Sequence, residues 1–192
     1  MNRFIQYHKY LLKESFSGYL YRRLILYPLL RLITGPEFLD VGCGVGIFLN
    51  YGGAKSLGLD INPLNVNLIN KRKNSRALLI KENGEFPIKS ESFKAIICDQ
   101  VLEHIEDPTI IINEISRVIK NQGKIIIGLP MQKGFSCDPD HKKFYTIKSF
   151  KKLITKNLNL KYKFHFYFPI PISYAGKYFS WQYMYIILES IK

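Results

Sequence analysis

The residues with the clearest chemical potential are Asp40-Val41-Gly42-Cys43-Gly44-Val45-Gly46, which overlap the end of the short apolar run Phe38–Val41. Glycines at alternate positions in a turn let the backbone fold tightly and approach a ligand without side-chain collision. The next apolar run, Ser56–Ile61, carries Asp60, 14 residues after Gly46. A carboxylate at the end of a second strand can accept hydrogen bonds from both ribose hydroxyls. The pair of features predicts a nucleoside-binding turn; the plainer alternative is a tight turn with Asp60 capping the helix that starts at Pro63. The spacing is GxGxG, whereas a dinucleotide turn has GxGxxG and seats a pyrophosphate on a helix N-terminus. Asp40, two residues before the first glycine, would repel a phosphate and could help hold an ammonium group. That charge choice favours an amino-acid-bearing nucleoside.

These residues need a sheet to position them. Short apolar runs at Phe38–Val41, Ser56–Ile61, Ala77–Ile80, Ala95–Cys98 and Lys124–Gly128 alternate with polar, helix-like separators such as Pro63–Lys73 and Pro108–Lys120. The alternation predicts βαβ units and an α/β fold around a mostly parallel, buried sheet. Asp107-Pro108 marks a helix start, with Ile111, Ile115, Val118 and Ile119 on one side. Residues 4–32 read mainly as helix, with Phe4, Tyr7, Leu11 and Leu12 on one face, and Gly35-Pro36 closes that region. Farther on, TIKSFKKLITKN reads as an amphipathic helix capped by Thr146, and LKYKFHFYF and YMYIILES read as the last strands. The expected organisation is an N-terminal helical region, 1–35, followed by one domain, 36–192.

Several segments, in order, resemble class I S-adenosylmethionine-dependent methyltransferases of the small-molecule type found in ubiquinone and menaquinone biosynthesis. LDVGCGVG resembles the first motif of that family and GLDI the second. GEFPIKSESFKAIICDQVLEHIEDP, ISRVIKNQGKIIIGLP and DHKKFYTIKSFKKLI resemble later segments, and the similarity spans roughly residues 36–192. The resemblance implies a Rossmann-like, seven-stranded, mostly parallel sheet with the last strand antiparallel and helices on both faces. It also implies S-adenosyl-L-methionine as cofactor and a set of site residues. Asp40 would lie near the methionine ammonium, and Gly42, Cys43, Gly44 and Gly46 would form the cofactor turn. Asp60 would bind ribose with Ile61 beside it, Glu82 and Asn83 would flank adenine, and Asp99 and Gln100 would lie near the methionine moiety. The family more often has Asp-Ala where this chain has Glu82-Asn83.

Methyl transfer requires aligned donor and acceptor, and a hydroxyl acceptor also benefits from a base. In the resembling family the pair Glu103-His104 faces the cofactor or the active-site edge. His141 stands in a polar insertion after the fifth strand, and Tyr145 shares that segment. His104, His141 and Tyr145 are therefore the candidate catalytic residues, while His8 and His165 read as surface or packing positions. Glu103, His104, Glu106 and Asp107 are metal-ligand types, but four adjacent loop residues cannot all point into one coordination sphere, so no metal is expected.

The net charge of +13 favours anionic partners. It supports an RNA methyltransferase as one alternative, although neither a concentrated basic face nor an Asn-Pro-Pro-Tyr-like tetrapeptide is evident, and nucleic acid is not the expected partner. A non-catalytic, cofactor-binding partner protein is the other alternative. The leading expectation is a small-molecule or lipid-linked acceptor. Tyrosines and phenylalanines crowd the last third and could form an acceptor mouth, a peripheral membrane contact or a homodimer surface. Three cysteines without metal-like spacing and the lack of a signal-peptide pattern suit a cytoplasmic protein.

Overall fold

In a computed structural model of the chain, residues 3–12, 20–81, 83–155 and 159–192 are described. The apolar runs become seven strands: β1 (Leu39–Val41), β2 (Leu57–Asp60), β3 (Ala77–Leu79), β4 (Phe93–Asp99), β5 (Ile119–Pro130), β6 (Leu160–Phe168) and β7 (Tyr183–Ser190). They form one sheet in the order β3-β2-β1-β4-β5-β7-β6, with helices on both faces. The fold class expected from the sequence is present. The chain makes two compact units, Met1–Pro87 and Ile88–Lys192.

In the first unit β1, β2 and β3 are parallel, with Asp40 opposite Gly58 and Leu59 opposite Leu78. Phe38, Leu39, Leu59 and Ile69 are fully buried, and the Phe38 and Phe48 rings stack with centroids 4.6 Å apart. Burial of such side chains stabilises the unit by roughly 1.5–3 kcal/mol each. The expected helical start contains α1 (Arg3–Leu12), a π-helical turn (Arg22–Leu26) and α2 (Tyr27–Thr34). Helix α2 ends at Gly35, whose φ of 74° suits a residue without Cβ. After β2, Asn62 caps α3 (Pro63–Asn70) by accepting the Leu64 amide at 3.0 Å, and Pro63 occupies the first turn where its missing N–H costs nothing.

In the second unit β4 and β5 are parallel, whereas β7 runs antiparallel to both β5 and β6. The reversed strand is last in sequence but sits between two others, which explains why Met184–Leu188 are almost wholly buried. Leu102–His104 form a 3₁₀ turn, followed by α4 (Thr109–Val118), α5 (Gln132–Cys137), α6 (Ile147–Ile154) and a second 3₁₀ turn at Ser173–Lys177. Asp107 starts α4 by accepting the Thr109 amide at 3.0 Å. Of the aromatic tail, Tyr185 enters the core and stacks on Phe166, while Tyr174, Tyr178 and Trp181 around the second 3₁₀ turn are exposed. No described helix is long and apolar enough to cross a membrane.

Helix α6 carries a capping box: Thr146 Oγ1 accepts the Ser149 amide at 3.1 Å, and Ser149 Oγ accepts the Thr146 amide at 2.9 Å. Thr146→Ala removes one half of it and should cost about 1 kcal/mol, lowering the melting temperature by roughly 2–4 °C in a thermal unfolding experiment. An unchanged melting temperature would mean that the cap adds nothing to the fold.

Candidate functional site

Glycine conformation builds the first half of the site. Gly42, Gly44 and Gly46 have φ of 73°, 54° and 73°, values at which a Cβ is strained. The turn is laced to β2. The amides of Gly42 and Cys43 both donate to the Leu59 carbonyl, at 2.7 and 2.9 Å. Asp60 then takes the Gly44 amide on Oδ2 at 2.8 Å and the Asn62 amide on Oδ1 at 2.7 Å. Asp60 thus joins the glycine turn to the first turn of α3, and each oxygen keeps a second lone pair for a hydroxyl donor. Burial raises its pKa, opposed by the amides of Asn62 and Gly44, the Asn65 side chain and His8.

Asp40 is buried on β1, 5% exposed, with the turn directly after it. Cys43 is buried as well. Its thiol pKa is raised, first by burial and then by the Asp40 charge, so it packs and does not act as a thiolate. A Cβ on Gly58 would stand 2.6 Å from the Cys43 sulfur; sequence reasoning missed this role for Gly58, which the register opposite Asp40 makes visible. Ile61 is exposed. Asn83 is exposed too and accepts the Glu85 amide at 3.0 Å, an Asx turn within its own loop. Glu82 lies outside the described residues.

The second unit holds the acid–base candidates. At the end of β4 the chain turns sharply: Gln100 has φ of 57° and its amide donates to the Gly128 carbonyl at 3.0 Å. A non-glycine residue held there is strained, and such strain collects at functional sites. Gly128 cannot be replaced without displacing Asp99, since an added Cβ would collide with the Asp99 carboxylate. Asp99 and Gln100 are half-buried at this strand end.

The following 3₁₀ turn receives the segment after β5. The Glu103 carbonyl accepts the amides of Lys142 and Lys143, at 2.7 and 3.0 Å, and this double bond pair carries His141 to Glu103. The His141 and His104 rings lie 4.6 Å apart, and Phe135 stacks on His141. His141 Nδ1 is 2.9 Å from the Phe135 carbonyl, which can only accept, so Nδ1 carries the proton. In the neutral ring Nε2 then holds the lone pair, 3.9 Å from Glu103 Oε1 and from Asp138 Oδ2. That arrangement suits a base. Burial, followed by the nearby His141, lowers the pKa of His104.

Glu103 is fully buried, and neither carboxylate oxygen has a hydrogen-bond partner among the described residues. Its pKa is raised to about 8, by burial first and then by the charges of Asp99 and Asp138. At 3.9 Å the His141 contact is too long for a hydrogen bond and does not offset desolvation. Glu103, His104 and His141 are described residues that could hold a metal ion, their ligand atoms lying within 4.8 Å of one another. The loop alone offers no such set; His141 completes it from a distant part of the chain. Tyr145 is 3% exposed beneath α6, packed edge-on to Phe150, its hydroxyl 3.5 Å from the Leu102 carbonyl and its pKa raised by burial and then by Glu103. This is the placement of a packing residue.

Residues 39–127 match the family described as "Methyltransferase domain". A solved S-adenosylmethionine-dependent methyltransferase from Aquifex aeolicus superposes over 100% of both chains with a TM-score of 0.71 at 17% identity. The chain has the class I methyltransferase fold. Among curated proteins, an uncharacterized protein of Methanocaldococcus jannaschii is 32% identical over 129 residues, covering 67% of this chain and 59% of that protein. The ubiquinone biosynthesis O-methyltransferase of Hahella chejuensis is 34% identical over 98 residues, covering 46% of this chain and 40% of the enzyme. The chain spans about half the length of the curated relatives it matches.

The buried carboxyl gives a pH signature. Unfolded, Glu103 loses its proton near 4.5; folded, it keeps it to about 8. Stability therefore falls as pH rises from 4.5 to 8, since the folded state binds the extra proton. Glu103→Gln should be nearly neutral at pH 5 and stabilise by about 1–3 kcal/mol at pH 8 in denaturant titrations. Equal stability of the two proteins at pH 8 would show that Glu103 has a partner when ionised.

Proposed function

We propose that the protein is an S-adenosylmethionine-dependent methyltransferase acting on a small-molecule or lipid-linked acceptor. The observation that carries this reading is the Asp60 carboxylate bridging the glycine turn and α3, with lone pairs left for two ribose hydroxyls. Asp40, at the head of the same turn, supplies negative charge suited to an ammonium group. A bound S-adenosylmethionine would supply an electrophilic sulfonium methyl. The glycine turn and Asp60 would hold it, its chemistry would be methyl transfer to an acceptor lone pair, and a hydroxyl acceptor would need a base for its proton. In the second unit, His141 is our candidate for the base that takes that proton, its tautomer held by the Phe135 carbonyl.

An amphiphilic acceptor is favoured by the surface around the second 3₁₀ turn. Ile172, Tyr174, Tyr178, Phe179 and Trp181 are all exposed there, and Lys177 is the one cation of the turn, 5.0 Å from the Tyr174 ring centre. Rings that combine an apolar body with a polar tip suit a half-wet contact with such a molecule. The O-methyl chemistry of the Hahella enzyme points the same way.

Asp60→Ala should weaken S-adenosylhomocysteine binding about 10- to 150-fold by calorimetry. Unchanged affinity in the folded variant would remove Asp60 from the nucleoside site. Labelled methyl transfer into a cell extract, fractionated into RNA, protein, lipid and small molecules, tests the substrate class. Label is expected in the lipid or small-molecule fraction, and His141→Ala should reduce it about 100-fold or more while leaving cofactor affinity nearly intact. Label confined to RNA would overturn the acceptor assignment, and cofactor binding without transfer into any fraction would support the non-catalytic alternative.

A further inference from the structure

One side chain of the second unit is left unexplained by the methyl-transfer reading. Glu103 is fully buried, and neither of its carboxylate oxygens has a hydrogen-bond partner among the described residues. A polar group in that state costs stability unless something pairs with it. The His141 Nε2 is 3.9 Å from Glu103 Oε1 and the same distance from Asp138 Oδ2. A direct hydrogen bond would bring nitrogen and oxygen to about 2.7–3.2 Å. The imidazole nitrogen thus stands between two carboxylates and bonds to neither.

Both histidines are oriented through their other nitrogen. His141 Nδ1 is 2.9 Å from the Phe135 carbonyl, and His104 Nδ1 is 3.4 Å from the Asp140 carbonyl. A carbonyl only accepts, so each Nδ1 carries the proton and each Nε2 the lone pair of the neutral ring. An N–H anchored on a main-chain carbonyl is the support that metal-ligating imidazoles commonly have. One ligand atom each from Glu103, His104 and His141 lie within 4.8 Å of one another. Ligand atoms held at about 2.0–2.2 Å from one ion stand at most about 4.4 Å apart, so closing the set takes side-chain shifts of roughly half an ångström. The main chain already fixes the approach, because the Glu103 carbonyl binds the amides of Lys142 and Lys143, directly after His141.

We propose that Glu103, His104 and His141 form a binding site for one divalent first-row transition-metal ion. Two imidazoles and a carboxylate suit Zn²⁺ or Co²⁺, whereas Mg²⁺ and Ca²⁺ prefer oxygen ligands throughout. The ion supplies the charge partner that the buried carboxylate lacks among the described residues. Three protein ligands leave a coordination position open to water or a substrate oxygen, as catalytic metal sites do. The sequence argument against a metal considered one loop alone, and His141, arriving from beyond β5, removes that objection. An ion and a proton compete for the same Nε2 lone pair. The base role of His141 therefore belongs to the metal-free protein, and with the ion bound the metal itself lowers the proton affinity of a coordinated hydroxyl. The site lies wholly in the second unit and does not depend on the assignment of Asp60 to ribose.

Calorimetry on the full chain, stripped with a chelator, tests the site. About one Zn²⁺ or Co²⁺ should bind per chain with a Kd of about 1 μM or tighter, and Mg²⁺ should not bind at the same concentrations. Glu103→Gln and His141→Ala should each weaken Zn²⁺ binding about 100-fold or more. His165→Ala, whose ring is bonded to Tyr162 instead, should bind Zn²⁺ as the wild type does. Excess Zn²⁺ should raise the melting temperature of the wild type and leave that of folded Glu103→Gln unchanged, which separates a lost ligand from a lost fold. No uptake of Zn²⁺ or Co²⁺, affinity unchanged in both ligand variants, or equally tight Mg²⁺ would each overturn the inference. S-adenosylhomocysteine bound by a protein that takes up no metal would remove this site and leave the methyltransferase reading standing. Metal uptake lost in the two variants, by a protein that binds no cofactor, would do the reverse.

Discussion

The Asp60 carboxylate is the constraint on which the candidate cofactor site depends. It takes one amide from the glycine turn and one from the start of α3, so the two segments that would wrap a nucleoside are tied to a single charged group. The tie works because the turn glycines adopt positive φ and aim the Gly44 amide inward. It also has a cost. Burial opposes ionisation of Asp60, and the backbone amides of Asn62 and Gly44 act against that cost.

The second unit follows a different physical logic. Glu103 is buried without hydrogen-bond partners among the described residues, and burial holds its proton on to about pH 8. An unpaired carboxyl of this kind weakens a fold above its unfolded pKa, and such groups persist where chemistry uses them. Its backbone carbonyl meanwhile performs a structural task, anchoring the segment that delivers His141. One residue thus positions the candidate base through its main chain and shapes the electrostatics around it through its side chain. The strained Gln100 backbone, one turn earlier, belongs to the same economy of positions after β4.

Much of this was legible before any coordinates. Alternating apolar runs and helical separators announced a parallel sheet, since buried parallel strands have no polar face to display. Thr146, Pro63 and Gly35 mark helix ends by local chemistry, which sequence carries well because the partners lie within three or four residues. The glycine turn and Asp60 were legible for the same reason: a strand end, a tight turn and an acid at a set spacing are local patterns. The match over residues 39–127 falls on the stretch that carries them.

What only the tertiary structure decided are the long-range pairings. Sequence separation hides that His141 meets Glu103 and His104, that Gly58 makes room for Cys43, and that Tyr145 turns into the core under α6. It hides the strand order too, because β7 reaches its place between β5 and β6 only after β6 has been made. His8 is the plainest case. Its sequence neighbours include no group that would mark it, and its partner, Asn65, is 57 residues away. Local patterning determined the elements and the glycine turn of this protein; the docking of distant elements, driven by burial and by the need to satisfy buried polar groups, decided which side chains meet.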